Sequence, residues 1–176
     1  IQDFIKTQKS LDFNVEKIDS IYKKGVRVSS TAIRSALTRG DLKLATSLLG
    51  RLYRMSGRII KGRQVGRKLG YPTANVDLRR RQSAVQGIYA VKVSGLREGV
   101  ISGIASVGTR PTFGLTKPIL EIYLLDFNRD IYGEYIHVDF ISRLRDEIKF
   151  DTEKDLVNAM NEDMKNARSI FSAEII

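Results

Sequence analysis

The sequence predicts a mainly β domain: an antiparallel sheet closed on itself, one long helix packed outside it, and a small helical segment in front. Three observations carry this. Short segments between Tyr53 and Ile141 alternate apolar and polar residues with period two and are separated by turn signals. From Asp151 to about Phe171 the period becomes helical, with Leu156, Val157, Met160, Met164, Ala167 and Phe171 recurring on one face. Consecutive short alternating strands joined by tight turns favour a closed antiparallel sheet, because closure leaves no unpaired edge.

Taken in order, residues 11–18 have the pattern of a short strand. Ser29 or Ser30 then caps a helix carrying Ala32, Ile33, Ala36 and Leu37, which ends at Gly40. Asp41 caps a second short helix with Leu42, Ala45, Leu48 and Leu49, stopped by Gly50. The pattern changes there, and a domain boundary is expected near residues 50–54, dividing the chain into residues 1–50 and 51–176. Tyr53 to Lys61 reads as a strand, 62–72 as a Gly-rich loop ending in Tyr71-Pro72, and 73–78 as extended. After Arg79-Arg80-Arg81, Gly87 to Ser94 is a strand with Tyr89, Val91 and Val93 on one face, turning at Leu96-Arg97-Glu98-Gly99. Val100 to Val107 returns, and residues 108–118, with Gly108, Pro111, Gly114 and Pro118, read as a loop. Leu120, Ile122 and Leu124 face one way on the next strand, and Ile136, Val138 and Phe140 on the last, with a loop expected at 142–150.

The composition limits the chemistry. The 176 residues are 42% apolar and 28% charged, the mixture of a folded globular protein. No apolar run approaches the roughly 20 residues of a membrane span. There is no Cys and one His, so thiolate and His-rich metal sites are excluded. The chain opens at Ile1 without an initiator Met or a signal-peptide pattern and reads as a piece of a longer cytoplasmic protein. The net charge of +10 is uneven: residues 51–82 hold ten Lys/Arg against Asp77 alone. That stretch also carries Gly57, Gly62, Gly66 and Gly70. A basic, glycine-rich stretch suits a phosphate group, which accepts from backbone N–H and cationic side chains. A nucleic-acid patch and a plain solvated surface fit the same composition.

Gly57 and Gly62 satisfy GxxxxG, but Arg63-Gln64 follow where a P-loop needs Lys and Ser/Thr, and no GxGxxG occurs. Thr73 and Asn75 stand two apart on an extended segment and share a side. They offer a hydroxyl and an amide oxygen, hard donors suited to Mg²⁺ that also binds phosphate oxygens and water. Taken by themselves, the two residues more simply satisfy turn backbone.

The run Gly66-Arg67-Lys68-Leu69-Gly70-Tyr71-Pro72-Thr73-Ala74-Asn75 resembles the GRxxGxPTAN motif of riboflavin kinases. Three further segments agree with that family in order and spacing. Gly87 to Val91 resembles its GVYAV strand, and Gly108-Thr109-Arg110-Pro111-Thr112-Phe113-Gly114 its GxRPTFG loop. Leu120-Glu121 to Phe127, Ile131-Tyr132-Gly133 and Leu144-Arg145-Asp146-Glu147 with Phe150 resemble its closing motifs. Ahead of them, Val28 to Arg34 is similar to the SSTxIR signature that ends the FMN adenylyltransferase domain of bacterial bifunctional riboflavin kinase/FAD synthetases.

The resemblance spans about residues 51–171, with the earlier signature added. It implies an antiparallel Greek-key β-barrel with a long C-terminal helix, preceded by a helical remnant of an α/β nucleotidyltransferase domain. It implies phosphoryl transfer from ATP to the 5′-hydroxyl of riboflavin with Mg²⁺, giving FMN and ADP. It makes Glu121 the general base, and Gly62, Gly66, Lys68, Gly70 and Thr73 the ATP and phosphate contacts. Thr73 and Asn75 become the metal ligands, and Asn75, Leu144 and Arg145 the flavin contacts. Ser29, Ser30, Thr31 and Arg34 become the remnant of an adenylyltransferase site whose remainder this chain lacks, so that FAD synthesis is not expected of it alone. Riboflavin and ATP are the expected partners; no membrane partner is expected and a nucleic-acid-binding barrel is the disfavoured rival. One departure is Tyr123, where family members often carry His two residues after the catalytic Glu.

Overall fold

The computed structural model describes residues 19–62, 66, 69–79, 82–112 and 115–173. The strand expected over 11–18, and Lys68, Arg80 and Arg81, lie outside the described residues.

A two-residue hairpin opens the described chain, β1 (Tyr22–Lys23) against β2 (Val26–Arg27), turning through Lys24 and Gly25 at positive φ. Helix α1 (Ser30–Thr38) starts at Ser29, whose hydroxyl accepts from the Ala32 N–H at 3.1 Å. Helix α2 (Leu42–Leu49) starts at Asp41, which accepts from the Leu44 N–H at 2.9 Å, and stops at left-handed Gly50. The two expected helices are therefore present with their caps.

Six strands follow: β3 (Arg54–Ile60), β4 (Thr73–Asp77), β5 (Gly87–Leu96), β6 (Gly99–Thr112), β7 (Leu115–Leu124) and β8 (Tyr135–Arg145). They close a barrel in the order β3-β4-β7-β6-β5-β8, with every neighbouring pair antiparallel. The period-two pattern determines which side chains enter it. Met55, Ile59, Val76, Tyr89, Val91, Val93, Ala105, Val107, Leu120, Ile122, Ile136, Val138 and Phe140 are all buried in one cluster. Phe140 anchors the interior, its ring 5.2 Å from that of Tyr89 and 5.5 Å from that of Tyr53. Ala36, Leu37, Leu42 and Ala45 of the helical pair join the same cluster. Beside them Gly40 lies against the Arg143 side chain, and Thr38 Oγ1 donates to the Ala84 carbonyl at 3.3 Å.

The outer wall carries a second, smaller cluster. Ile88, Ala90, Ile104 and Leu125 meet Ala167, Met164, Ile170 and Phe171 of helix α3 (Glu153–Ala173). Thr152 caps α3, its hydroxyl accepting from the Asp155 N–H at 3.1 Å.

Two expected loops are in part strand. Residues 108–112 continue β6 and residues 115–118 belong to β7, with Gly108 paired to Ile119, Thr109 to Pro118 and Pro111 to Thr116, while 113 and 114 lie outside the described residues. The prolines do not break it: Pro118 and Pro111 fall in alternate pairs of one parity, where the missing N–H is not required by the partner strand. Residues 142–145 belong to β8, so Leu144 and Arg145 stand on a strand end rather than in a loop. Irregularities in the β5–β8 pairing, between Ile88 and Tyr89 and between Ala90 and Val91, interrupt the alternation there and hide the strand from a period-two reading.

Candidate active site

The outward residues of five strands line up across the barrel wall. Asn75 pairs with Glu121, Glu121 with Ser106, Ser106 with Ile88, and Ile88 with Arg145. Residues paired across antiparallel strands project to the same face. Three side chains singled out in sequence, Asn75, Glu121 and Arg145, thus stand on one line. Glu121 and Arg145 are three strand spacings apart, roughly 14 Å along the wall. The adjacent row runs Thr73, Tyr123, Ile104 and Ala90.

Over these rows lies a cavity of about 280 Å³, lined by Thr73, Glu121, Tyr123, Ser106, Ile88, Ile104 and Arg145 from the wall. Gly66, Leu69 and Tyr71 close one side, Glu147, Ile148 and Phe150 another, and Leu156, Met160 and Asp163 of α3 the third. Met160, expected as packing core, therefore lines the cavity, whereas Met164 packs against the outer wall.

The glycines of the basic stretch hold the near side of this site. Gly66 O accepts from the N–H of Leu69 at 3.0 Å and of Tyr71 at 2.8 Å, drawing the loop into a tight curl. A Cβ at Gly66 would strike the Tyr71 carbonyl, and Gly70 takes φ +85°, so neither accommodates a side chain without strain. Gly62 lies flat against the side-chain amide of Asn75, which is 8% exposed. The Tyr71 ring packs edge-on to Tyr123, with centroids 5.4 Å apart, and its hydroxyl donates to Asn161 Oδ1 on α3 at 2.5 Å.

On the far side, Arg145 does not pair with the Asp146 or Glu147 carboxylate. Its Nε and Nη2 donate to the two carboxylate oxygens of Asp163 at 2.8 and 2.7 Å, Nη1 donates to the Asp146 carbonyl at 3.0 Å, and the guanidinium lies 5.6 Å from the Phe150 ring centroid. The Asp146 carboxylate is held by Arg143 instead. Glu147 bends back over β6, where a Cβ on Gly108 would come 2.5 Å from its carboxylate.

A second cavity, of about 260 Å³, opens at the barrel mouth. Inward Ile59, Ala74, Ile122 and Leu124 form its floor, the turn from Phe127 to Tyr132 its rim, and Thr73 borders it as well. Arg129 on that rim is braced by Glu98 and Glu134. Its guanidinium holds the Glu98 carboxyl at about 2, below the usual 4.5. The hydrogen bonds that Arg129 donates to Glu98 and then to Glu134 raise its own pKa in return.

Of the sequence-selected residues, Gly66, Thr73, Glu121 and Arg145 meet in the first cavity, with Asn75 and Gly62 directly behind it. Gly70 ends the curled loop. Leu144 is not among the lining residues and packs in the outer cluster with Met164 and Phe171. Ser29, Ser30, Thr31 and Arg34 form the start of α1 and line neither cavity. Sequence reasoning missed Asp163, Tyr71 and Phe150. The signal for Asp163 was present: an acidic residue on the same α3 face as Met160 and Ala167, where an unpaired carboxylate is costly.

The first cavity lies on the outer wall of the barrel, between a glycine-rich loop and a terminal helix, an arrangement that suits the binding of a small molecule. The riboflavin kinase (flavokinase) family model matches residues 49–171, and the chain belongs to that family. Bifunctional riboflavin kinase/FMN adenylyltransferases from Haemophilus influenzae and Escherichia coli are 41% and 42% identical over 94% and 96% of this chain. The chain spans about half the length of these curated relatives, 54% and 55%. A solved structure from Streptococcus pneumoniae, described as a macrolide-efflux protein, superposes with a TM-score of 0.78 at 34% identity, over 93% of this chain and 54% of that one. Among the described residues of the present chain, no helix is long and apolar enough to cross a membrane.

Proposed function

We propose that the chain transfers the γ-phosphoryl group of ATP to the 5′-hydroxyl of riboflavin, giving FMN and ADP. The observation that carries this reading is the position of Thr73, which borders both cavities while Glu121 lines only one. A nucleotide entering from the barrel mouth and an acceptor lying on the outer wall would meet at Thr73, with the carboxylate on the acceptor side. Glu121 then takes the proton of the attacking hydroxyl as the new P–O bond forms and the bond to ADP breaks. The curled loop at Gly66 and Gly70 lets backbone approach the phosphates, and Lys68 adds a cation to the same loop.

Among the described residues no group of three or more His, Cys, Asp or Glu side chains forms a metal cluster. The donors at hand are the Thr73 hydroxyl and the Asn75 amide oxygen, a hard-oxygen set that fits Mg²⁺ shared with phosphate and water. Bound there, Mg²⁺ supplies charge neutralisation to the transferring phosphoryl group. Gly62 confines the Asn75 amide, and the β4–β7 pairing sets it beside Glu121.

For the whole protein, the relatives described as bifunctional support a second activity, adenylylation of FMN to FAD. In that reading the chain up to residue 50, with Ser29, Ser30, Thr31 and Arg34, ends the adenylyltransferase domain, and residues 51–176 form the kinase. Family membership leaves the nucleic-acid reading of the basic charge without support. Incubation of the chain with riboflavin, ATP and Mg²⁺, followed by chromatography, tests the kinase reading. FMN and ADP in equal amounts are expected, and absence of FMN from folded protein rejects it.

A further inference from the structure

We infer that Asp163 is a positioning residue for the acceptor, acting through Arg145; this rests on the kinase reading above. Asp163 and Asn75 are the buried polar residues among those described, and Asp163 is 5% exposed. Its neighbours on the same face of α3, Met160, Met164 and Ala167, are apolar. A carboxylate there is retained at a desolvation cost, which packing alone does not explain, because an apolar pair of similar volume in place of a buried ion pair is often neutral or stabilising.

The geometry shows what the carboxylate does. Both of its oxygens accept from Arg145 in a parallel, bidentate arrangement, which fixes the plane of the guanidinium as well as its position. The third contact, from Arg145 Nη1 to the Asp146 carbonyl, ties the same plane to the start of the segment that supplies Glu147, Ile148 and Phe150 to the cavity. These three bonds use three of the five guanidinium N–H groups, and two remain for a ligand. Arg145 sits at the end of the row that begins at Asn75 and Glu121, so its orientation sets the far end of the acceptor site relative to the base. Asp163 thus holds a cationic, planar donor face at the end of a cavity that also presents apolar Ile88, Ile104, Ile148 and Phe150. A planar heteroaromatic acceptor with ring carbonyl and nitrogen acceptors is the ligand such a face recognises.

The test compares Asp163→Asn with the apolar double variant Arg145→Met/Asp163→Leu, in the full chain. In each, thermal unfolding, riboflavin binding by fluorescence quenching without ATP, and steady-state kinetics are measured. The expected result for Asp163→Asn is a rise of at least tenfold in the riboflavin KM and dissociation constant, with the ATP KM within about twofold and kcat lowered less than KM is raised. The double variant, which leaves no uncompensated buried charge, is expected to unfold near the parent temperature and still bind riboflavin at least tenfold more weakly. A fall in unfolding temperature with riboflavin affinity unchanged in both variants overturns the inference and leaves Asp163 a structural ion-pair partner. If the parent chain binds riboflavin but forms no FMN, the kinase reading fails while the binding comparison still decides the role of Asp163.

Discussion

Asn75 and Glu121 face each other directly across β4 and β7, and Gly62 lies flat on the Asn75 amide. The three residues form one stack: the loop glycine confines the amide, and strand pairing sets the amide beside the carboxylate. The position of the amide therefore depends on the absence of a side chain at residue 62. Gly62→Ala is expected to push Asn75 out of its place, because the new Cβ would overlap the amide itself. Activity should fall at least tenfold with a change in unfolding temperature of only a few degrees. Wild-type turnover in Gly62→Ala would show that Asn75 adapts without consequence.

Glu121→Gln keeps the size and the hydrogen-bonding oxygen of the side chain and removes its capacity to accept a proton. Loss of a general base lowers turnover by roughly 100- to 10,000-fold. That loss in kcat, with riboflavin and ATP affinities near those of the parent, is expected in a steady-state assay of FMN formation. Normal turnover would remove Glu121 from the base role.

Thr73→Ala removes the hydroxyl that borders both cavities, one of the two oxygen donors proposed for Mg²⁺. The Mg²⁺ concentration needed for half-maximal rate should rise severalfold, together with the KM for ATP, while the riboflavin affinity changes little. A Mg²⁺ titration of the rate measures this, and an unchanged curve excludes Thr73 as a ligand.

Gly87 takes φ +116°, and a Cβ there would stand 2.7 Å from the Arg145 carbonyl. Both the backbone conformation and the space oppose a side chain, and the obstacle is main chain that cannot rotate away. Gly87→Ala is expected to cost about 1–3 kcal/mol of stability. It should also disturb Arg145, so chemical denaturation and riboflavin binding would change together.

The Glu98 carboxyl is held at about 2 by Arg129, and Arg168 lowers that of Asp126. A carboxylate whose folded pKa is depressed stabilises the fold above its unfolded pKa and loses that contribution as pH falls through the folded value. Unfolding temperature should therefore decline between about pH 4.5 and pH 2 for Glu98. Both groups are exposed and screened, so the effect is small. Arg129→Met should flatten the Glu98 part of that decline, which a pH series of thermal melts would measure.

The sequence by itself determined the barrel and its inward residues. Tyr89, Val91 and Val93, or Ile136, Val138 and Phe140, alternate because a strand places successive side chains on opposite faces, and one face was buried. It also determined the cap at Asp41 and narrowed the earlier one to Ser29 or Ser30, because each depends on a neighbour three residues away. Tertiary structure decided what depends on distant partners. Pro111 and Pro118 read as loop residues until the β6–β7 register showed where their missing donors fall. Arg145 had nearby acidic candidates in sequence, Asp146 and Glu147, yet its carboxylate partner is Asp163, 18 positions on, because α3 crosses the outer wall at that strand end. Tyr71 meets Tyr123 because β4 pairs with β7, and Asn161 because α3 lies over the outer wall. The motif residues were legible one by one; their alignment into a single row from Asn75 through Glu121 to Arg145 came from the closing of the barrel, which set five strands in register.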